Sequence, residues 1–424
     1  AKEYGVRVSG GTSIPVLDLY GISDSQQRLE AVESYIAELE SFTARLEELH
    51  AEQESEYAYD EKNCVLNTTD ILLDEMMISV PATQVLNALK GSSAEKAAQL
   101  EKSMTAMDQM MTLFYQHKGL NDSAKGSELP SRHLNIRYQR MFGGAFMYAA
   151  GDHIGIEWTE VTGLLQGEPV VADEMGRYVS GEWFGWGIGH EIGHNINQGS
   201  YAVAEVTNNY FAQLSTAREG SNSVRFGYDA IYKKVTSGTV GRSSDVFTQL
   251  GMYWQLHLAY DNYYNFKIFD NYQEQLDNLF YARVDSYARK PASAPAPGGV
   301  ALCLNGNADQ NFMRLASAAA QKDLTEFFTS WGLVPDSTTA AYMGQFEAEE
   351  RAIAYVNDDA RSYRLDNPGT GFAGQAVVSD SSSVSVSKVT PNKVTLQLNN
   401  NLEDPSLLLG YEITRVMISE GQEQ

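Results

Sequence analysis

GEWFGWGIGHEIGHNINQGSYAVAEVTNN runs from Gly181 to Asn209 and holds two of the chain's seven histidines, His190 and His194. On an α-helix, residues four apart share a face, so these two imidazoles project toward one point. Glu191 sits beside the first histidine without sharing its direction. Its carboxylate can therefore approach a water held by a metal rather than the metal itself. Catalytic zinc takes three protein ligands and keeps one position for water, whose pKa it lowers to roughly 7. A carboxylate placed like Glu191 then acts as the general base. The same spacing also arises in ordinary surface pairs, so the flanking residues decide. Gly193 lies between Glu191 and His194, where a small residue lets another element come close, and the lead GWGIG puts no charge near the helix start.

A carboxylate follows at a useful distance: Glu205, eleven residues after His194. Gly199 is expected to end the first helix and a second to begin near Ala202. Glu205 would then sit in its first turn and face back to the metal. His190, His194 and Glu205 would hold one zinc as the two-histidine, one-glutamate set of a gluzincin. No third histidine stands at the metzincin spacing. Asn208 and Asn209 follow Glu205 by three and four residues and are expected to point into the cleft, with helix surface or capping as the competing assignment.

Bulk properties narrow the class. The net charge of -24, from 31 basic and 55 acidic residues, argues against a nucleic-acid partner, which needs clustered Lys and Arg. No run of eighteen apolar residues exists, so no membrane span is expected, and the opening AKEYGVRVSGG lacks the apolar core of a signal peptide. The two cysteines, Cys64 and Cys303, lack the spacing of a cysteine zinc site; a bridge between them stays open.

The expected fold class is α+β: a zincin-like metallopeptidase with a small β-sheet, the HExxH helix and a mainly helical C-terminal subdomain, followed by an all-β module. Residues 1–130 read as a mainly helical N-terminal region after one or two short strands in the first twenty residues. One long amphipathic helix is expected from Ser23 to about Glu56, and TDILLDEMMIS at 69–79 reads as further helix. The methionines at 104, 107, 110 and 111 are assigned to core packing. Residues 131–366 read as the catalytic core. It opens with strands in HLNIRYQRMF, GAFMYAAGDHIGIEW and PVVADE, then has helices at 203–218, 244–265, 270–288, 308–331 and 338–356. PASAPAPGG at 291–299 is taken as a surface loop. Residues 367–424 alternate in period two, as a β-rich, immunoglobulin-like partial module would.

HEIGHNINQ followed by EVTNN resembles the enhancin-like zinc peptidases, which include viral enhancins and bacterial mucin-degrading glycopeptidases. GAFMYAAGDHIGI, GMYWQLHLAYD and AAAQKDLTEFFTSWGL are similar to further segments of that family, over roughly 130–356. The resemblance implies zinc at His190, His194 and Glu205, Glu191 as general base, a secreted or surface-displayed microbial enzyme, and cleavage of O-glycosylated, mucin-type protein. It also implies glycan contacts from Trp186, Asn208 and Phe211, with Trp183 a weaker candidate. Aromatic faces stack on sugar rings and amides bond their polar groups; core packing is the competing role for Trp186 and Phe211. The oxyanion-stabilising group is unassigned, with Tyr253, His257 and Tyr260 as candidates on a later helix. A gluzincin with no glycan requirement and a non-cleaving glycan-binding adhesin are the alternative functions.

Overall fold

The computed structural model describes residues 11–53, 56–218, 225–367, 383–399, 418–419 and 422–423. Six strands form one mixed sheet: β1 (Val16–Asp18), β2 (Thr69–Leu72), β3 (Met76–Val80), β4 (Leu134–Tyr138), β5 (Met147–Ala149) and β6 (His153–Ile156). The spatial order is β1-β2-β3-β4-β6-β5, so β5 is an edge strand, antiparallel to β6. Register explains the two faces. Ile71, Ile78, Ile136 and Ile154 stand opposite one another across four strands and are fully buried. One residue along each strand, Asp70, Ser79, Arg137, Gly155 and Tyr148 form a row on the other face. The sheet joins residues on both sides of position 130.

TDILLDEMMIS is therefore a β-hairpin, not a helix. Its apolar residues are dense enough to mimic a helical stripe, but the burial alternates in period two, as Met76, Ile78 and Val80 show. The long N-terminal helix is also divided, into α1 (Ser25–Thr43) and α2 (Leu46–Gln53). Asp24 caps α1 by accepting from the Gln27 N–H, worth about 1 kcal/mol. The Thr43 hydroxyl donates to the Leu39 and Glu40 carbonyls where α1 ends. After α3 (Ala82–Ala88), α4 (Ser93–His117) opens with a capping box between Ser92 and Glu95. It packs on α1 and buries Met104, Met107, Met110 and Met111. Full burial of such side chains is worth about 1.5–3 kcal/mol each.

Beyond the sheet come α5 (Val161–Leu164) and the antiparallel pair β7 (Glu168–Ala172) and β8 (Tyr178–Glu182). The site helix α6 (Trp186–Ile196) and α7 (Asn209–Thr216) follow. The helical remainder comprises α8 (Tyr228–Val235), α9 (Val246–Tyr260), α10 (Tyr272–Asn278), α11 (Phe280–Arg289), α12 (Ala308–Ala320), α13 (Thr325–Ser330), α14 (Ser337–Met343) and α15 (Asp358–Asp366). The helix expected over 338–356 thus stops at Met343, and PASAPAPGG holds a 3-10 turn, Pro291–Ser293, within a loop. Of the expected β module, β9 (Ser383–Thr390) and β10 (Lys393–Asn399) form a hairpin. GYEITRVMIS at 410–419 lies outside the described residues except for Ile418 and Ser419, which pair with Gln422 and Glu423. Both cysteines are free.

The packing of α6 on α7 rests on absent side chains. A Cβ on Gly189 would meet the Ala212 Cα at 2.9 Å, and one on Gly193 would meet the Asn208 backbone oxygen at 2.2 Å. On the opposite side, a Cβ on Gly187 would meet the Met147 sulfur of β5 at 2.9 Å. The Gly193 contact is with backbone, which cannot swing aside as a side chain can. Gly193→Ala is expected to force α7 away and cost about 1–3 kcal/mol, in spite of alanine's better helix propensity. Chemical denaturation checks this; a variant as stable as the wild type would show that α7 shifts freely.

A second expectation concerns pH. Burial, with Asp122, Asp74 and Asp108 adding repulsion, pushes the Glu75 carboxyl from 4.5 up to about 7. Between those values the folded chain holds a proton that the unfolded chain has released. Its contribution to stability is complete below about pH 4.5 and is lost as pH rises through about 7. The melting temperature of Glu75→Gln should therefore fall less than the wild type's between about pH 5 and pH 8. Parallel curves would refute it.

Candidate metal centre

The α6 helix delivers both imidazoles to one point, as the i, i+4 spacing requires. His190 Nε2 lies 3.3 Å from His194 Nε2, with the rings nearly perpendicular at 85°. The Glu205 carboxylate closes the triangle, with Oε2 3.3 Å from His190 Nε2 and Oε1 3.2 Å from His194 Nε2. A tetrahedral zinc with bonds of about 2.0–2.1 Å sets its ligands about 3.3–3.4 Å apart. The three donors, their chemistry and their spacing fit such an ion.

Glu205 arrives by a route different from the expected one. α7 begins only at Asn209, and Glu205 belongs to the turn before it, in the left-handed conformation at φ 61°. A non-glycine residue there is strained unless its surroundings fix it. They do: Val206 and Thr207 N–H both bond the Val203 carbonyl, and the Thr207 hydroxyl is tied to Asn197 at the end of α6. Asn209 completes the clamp. Its Oδ1 accepts from His190 Nδ1 at 2.6 Å, and its Nδ2 donates to the Glu205 backbone oxygen at 2.6 Å. A proton on His190 Nδ1 leaves the Nε2 lone pair free to face a metal.

A cleft of about 540 Å³ opens on this triangle, lined by Met147–Gly151 on one side and by His190, Glu191, His194, Asn195 and Glu205 on the other. Burial raises the Glu191 carboxyl above its ordinary range and the Glu205 charge adds to this; His190 and a hydrogen bond from the Ala149 backbone oppose it. Burial and the neighbouring His190 hold His194 below the usual imidazole value, against the pull of Glu205. Asn195 was not foreseen, although it stands four residues after Glu191 and so shares its helical face. Its Nδ2 is buried without a hydrogen-bond partner among the described residues.

The expected glycan contacts are placed elsewhere. Asn208 has no exposed surface; its amide lies 3.2 Å from His190 Nδ1 and 3.1 Å from His194 Nε2. Phe211 is buried against Phe114 at 5.3 Å. Both face inward because α7 presses against α6 across Gly193. Trp183 is buried too, bonding Gln109. Trp186 is half-buried, with the Arg225 guanidinium 4.7 Å above its ring, and is not among the residues lining the cleft. The oxyanion candidates are committed to other partners. Tyr253 accepts from Arg242, Tyr260 donates to Glu349, and His257 bonds Asp261 at 2.8 Å and Asn265 at 2.8 Å. His117, His257 and Asp261 also bring metal-type donors together, but the Tyr210 hydroxyl bonds both His117 and His257. Burial pushes His117 down to about 3, so it is neutral.

Comparison with known proteins bears on the fold and the family. The chain is similar to the M60 catalytic domain of Clostridium perfringens ZmpC, solved in complex with the sialyl T antigen, at 23% identity over 98% of this chain and 69% of that one, TM-score 0.61. It is similar to the C. perfringens ZmpB metallopeptidase at 22% identity, over 98% of this chain and 69% of that chain, TM-score 0.61. A longer ZmpB structure, with CBM51-1 and CBM51-2 domains, matches at 21% identity over 93% of this chain and 35% of that chain, TM-score 0.59. These likenesses show the fold. No curated protein matches the chain. Residues 51–332 match the family described as peptidase M60, enhancin and enhancin-like. With the fold and the family in agreement, the chain belongs to the enhancin-like M60 metallopeptidases.

Proposed function

We propose that this chain is a zinc endopeptidase that hydrolyses peptide bonds in O-glycosylated, mucin-type proteins outside the cell. The observation that carries the reading is the 3.2–3.3 Å triangle of His190, His194 and Glu205, with Glu191 in the same cleft. When bound there, zinc supplies Lewis-acid polarisation and acidifies a water molecule. The chain's own residues do the rest. Glu191 takes the proton of the attacking water and returns it to the leaving amine. Its raised affinity for protons suits that exchange. β5 offers an edge along which an extended peptide can lie by main-chain hydrogen bonds.

The glycan part rests on the family and on the sialyl T antigen bound to ZmpC. Trp186, the half-buried member of the trio, is the residue proposed to meet a sugar. Asn208 and Phe211 are proposed to position α7 and the histidines. Their burial favours a second reading, a gluzincin that cleaves without a glycan. Secretion or surface display is proposed from the same kinship; among the described residues, no helix is long and apolar enough to cross a membrane.

Purified protein should carry about one zinc per chain by elemental analysis. Glu191→Gln should keep that zinc while cleavage of a mucin-type glycopeptide falls by about 10²–10⁴. Equal cleavage of the bare peptide would decide for the second reading; full activity in Glu191→Gln would remove the general base from the scheme. Asn209→Leu should weaken zinc binding about 10–100-fold in chelator competition. Asn209→Asp, which keeps the acceptor for His190 but cannot donate to Glu205, should fall between. Wild-type affinity in Asn209→Leu would show that the clamp is dispensable.

A further inference from the structure

The open face of the six-stranded sheet carries a concavity separate from the metal cleft. It measures about 360 Å³, within the size range of small-molecule sites, and lies between Glu61–Thr68 and strands β3 and β4. Lys62, Thr68, Ser79, Arg137 and Tyr138 are among the residues lining it. Tyr138 fastens the loop by donating to the Lys62 carbonyl at 3.1 Å.

Two of its lining residues, Lys62 and Arg137, are basic and one, Glu61, is acidic. In a molecule of net charge -24, several arginines elsewhere hold carboxylates: Arg28 with Asp108, Arg177 with Asp366, Arg242 with Asp309, Arg351 with Glu349. Here, among the described residues, Lys62, Arg137 and Arg140 pair with none. Lys62 lies 5.6 Å from the Trp158 ring, and Arg140 donates to Asn63 Oδ1 at 2.7 Å. Among the described residues, Arg137 bonds only through Nη2, to His153 Nε2 at 2.8 Å; its Nε is buried and, like Nη1, bonds none of them. Glu61 is the one carboxylate among the lining residues. A guanidinium with donors to spare suits a planar carboxylate or a sulfate. Thr68 and Ser79 add hydroxyls that bond no described residue and line the same space, as partners for ring hydroxyls.

The cavity is wired to the cleft. In register, Arg137 faces Gly155, and Gly155 faces Tyr148. The missing Cβ of Gly155 leaves room for the Tyr148 ring, which would otherwise stand 2.2 Å from it. The Tyr148 hydroxyl donates to Gln139 at 2.7 Å and lies 3.0 Å from the His153 nitrogen that Arg137 bonds, while Tyr148 itself lines the metal cleft.

We propose that this cavity is a binding site for an acidic sugar, a monosaccharide unit bearing a carboxylate or a sulfate. Arg137 and Lys62 hold the anion, and Thr68 and Ser79 the ring hydroxyls. The site stands apart from the cleaved bond, so it is testable whatever the peptidase cuts. The test uses the full chain, zinc-loaded and carrying Glu191→Gln. It is titrated by calorimetry with methyl glucuronide and galactose 6-sulfate, and in parallel with galactose and inorganic sulfate. Both acidic sugars should bind saturably and galactose should not. Affinity should fall about tenfold or more in Arg137→Met and in Lys62→Met, and should weaken as salt rises from about 50 to about 500 mM. Lys62→Met should melt and cleave peptide as the wild type does, which separates lost binding from lost folding. Unchanged affinity in both variants, no binding of either acidic sugar, or galactose binding equally well overturns the proposal. Inorganic sulfate binding as tightly as galactose 6-sulfate overturns the sugar part and leaves an anion site.

Discussion

The contact between Gly193 and the Asn208 backbone is the constraint on which the candidate site depends. Two imidazoles on one helix define a point in space but supply only two donors. The third must come from another element, and it must reach within hydrogen-bond distance of both rings. A helix pair packed through ordinary side chains keeps its axes about 8–10 Å apart. The missing side chains at Gly189 and Gly193 let α7 come closer, so the Asn208 amide reaches both rings and the preceding turn swings Glu205 over them. The left-handed backbone at Glu205 is the local cost of that turn, offset by the bonds from Val203, Thr207 and Asn209.

Behind α7 the structure stiffens further. Tyr210, next to Asn209, places its hydroxyl between His117 of α4 and His257 of α9. His257 in turn bonds Asp261 and Asn265, and Arg361 of α15 donates to Asn265 at 2.6 Å. Burial alone would raise Asp261; the charge and hydrogen bond of His257 override it and hold the carboxyl low. Such groups are costly to bury singly and worth keeping only as a satisfied set. The set ties three other helices, α4, α9 and α15, to the residue that follows the clamp. Displacing α7 would therefore break polar bonds in the interior as well as at the surface.

The sequence was most legible where a single element carries the geometry. His190, Glu191 and His194 needed only helical spacing, and Met104 to Met111 only an apolar stripe. The β-strands from Leu134 to Ile156 announced themselves through glycine turns and alternation. Legibility failed where two elements had to be placed together. TDILLDEMMIS has apolar residues in adjacent pairs because both faces of its hairpin are partly covered, and adjacent pairs suit a helix as well as a strand. Glu205 looked helical because nothing in EVTNN announces a left-handed glutamate. Asn208 looked like a cleft residue on a helical face, and the family resemblance implied the same of Phe211; the approach permitted by Gly193 turned that face inward. Asn195 was missed although the spacing from Glu191 was available.

That inward turn also explains why residue 209 is asparagine. The position is 2% exposed and must satisfy two neighbours of opposite character: an imidazole N–H that needs an acceptor, and a backbone carbonyl that needs a donor. An aspartate could accept from His190 but would leave the Glu205 carbonyl facing a second acceptor, and would bury another negative charge beside Glu205 and Glu191. A leucine would satisfy neither. An amide supplies one acceptor and two donors in a fixed plane, without charge. It thereby orients one imidazole and anchors the strained turn with the same side chain. The geometry of the third donor is thus coupled to that of the first through a single planar group.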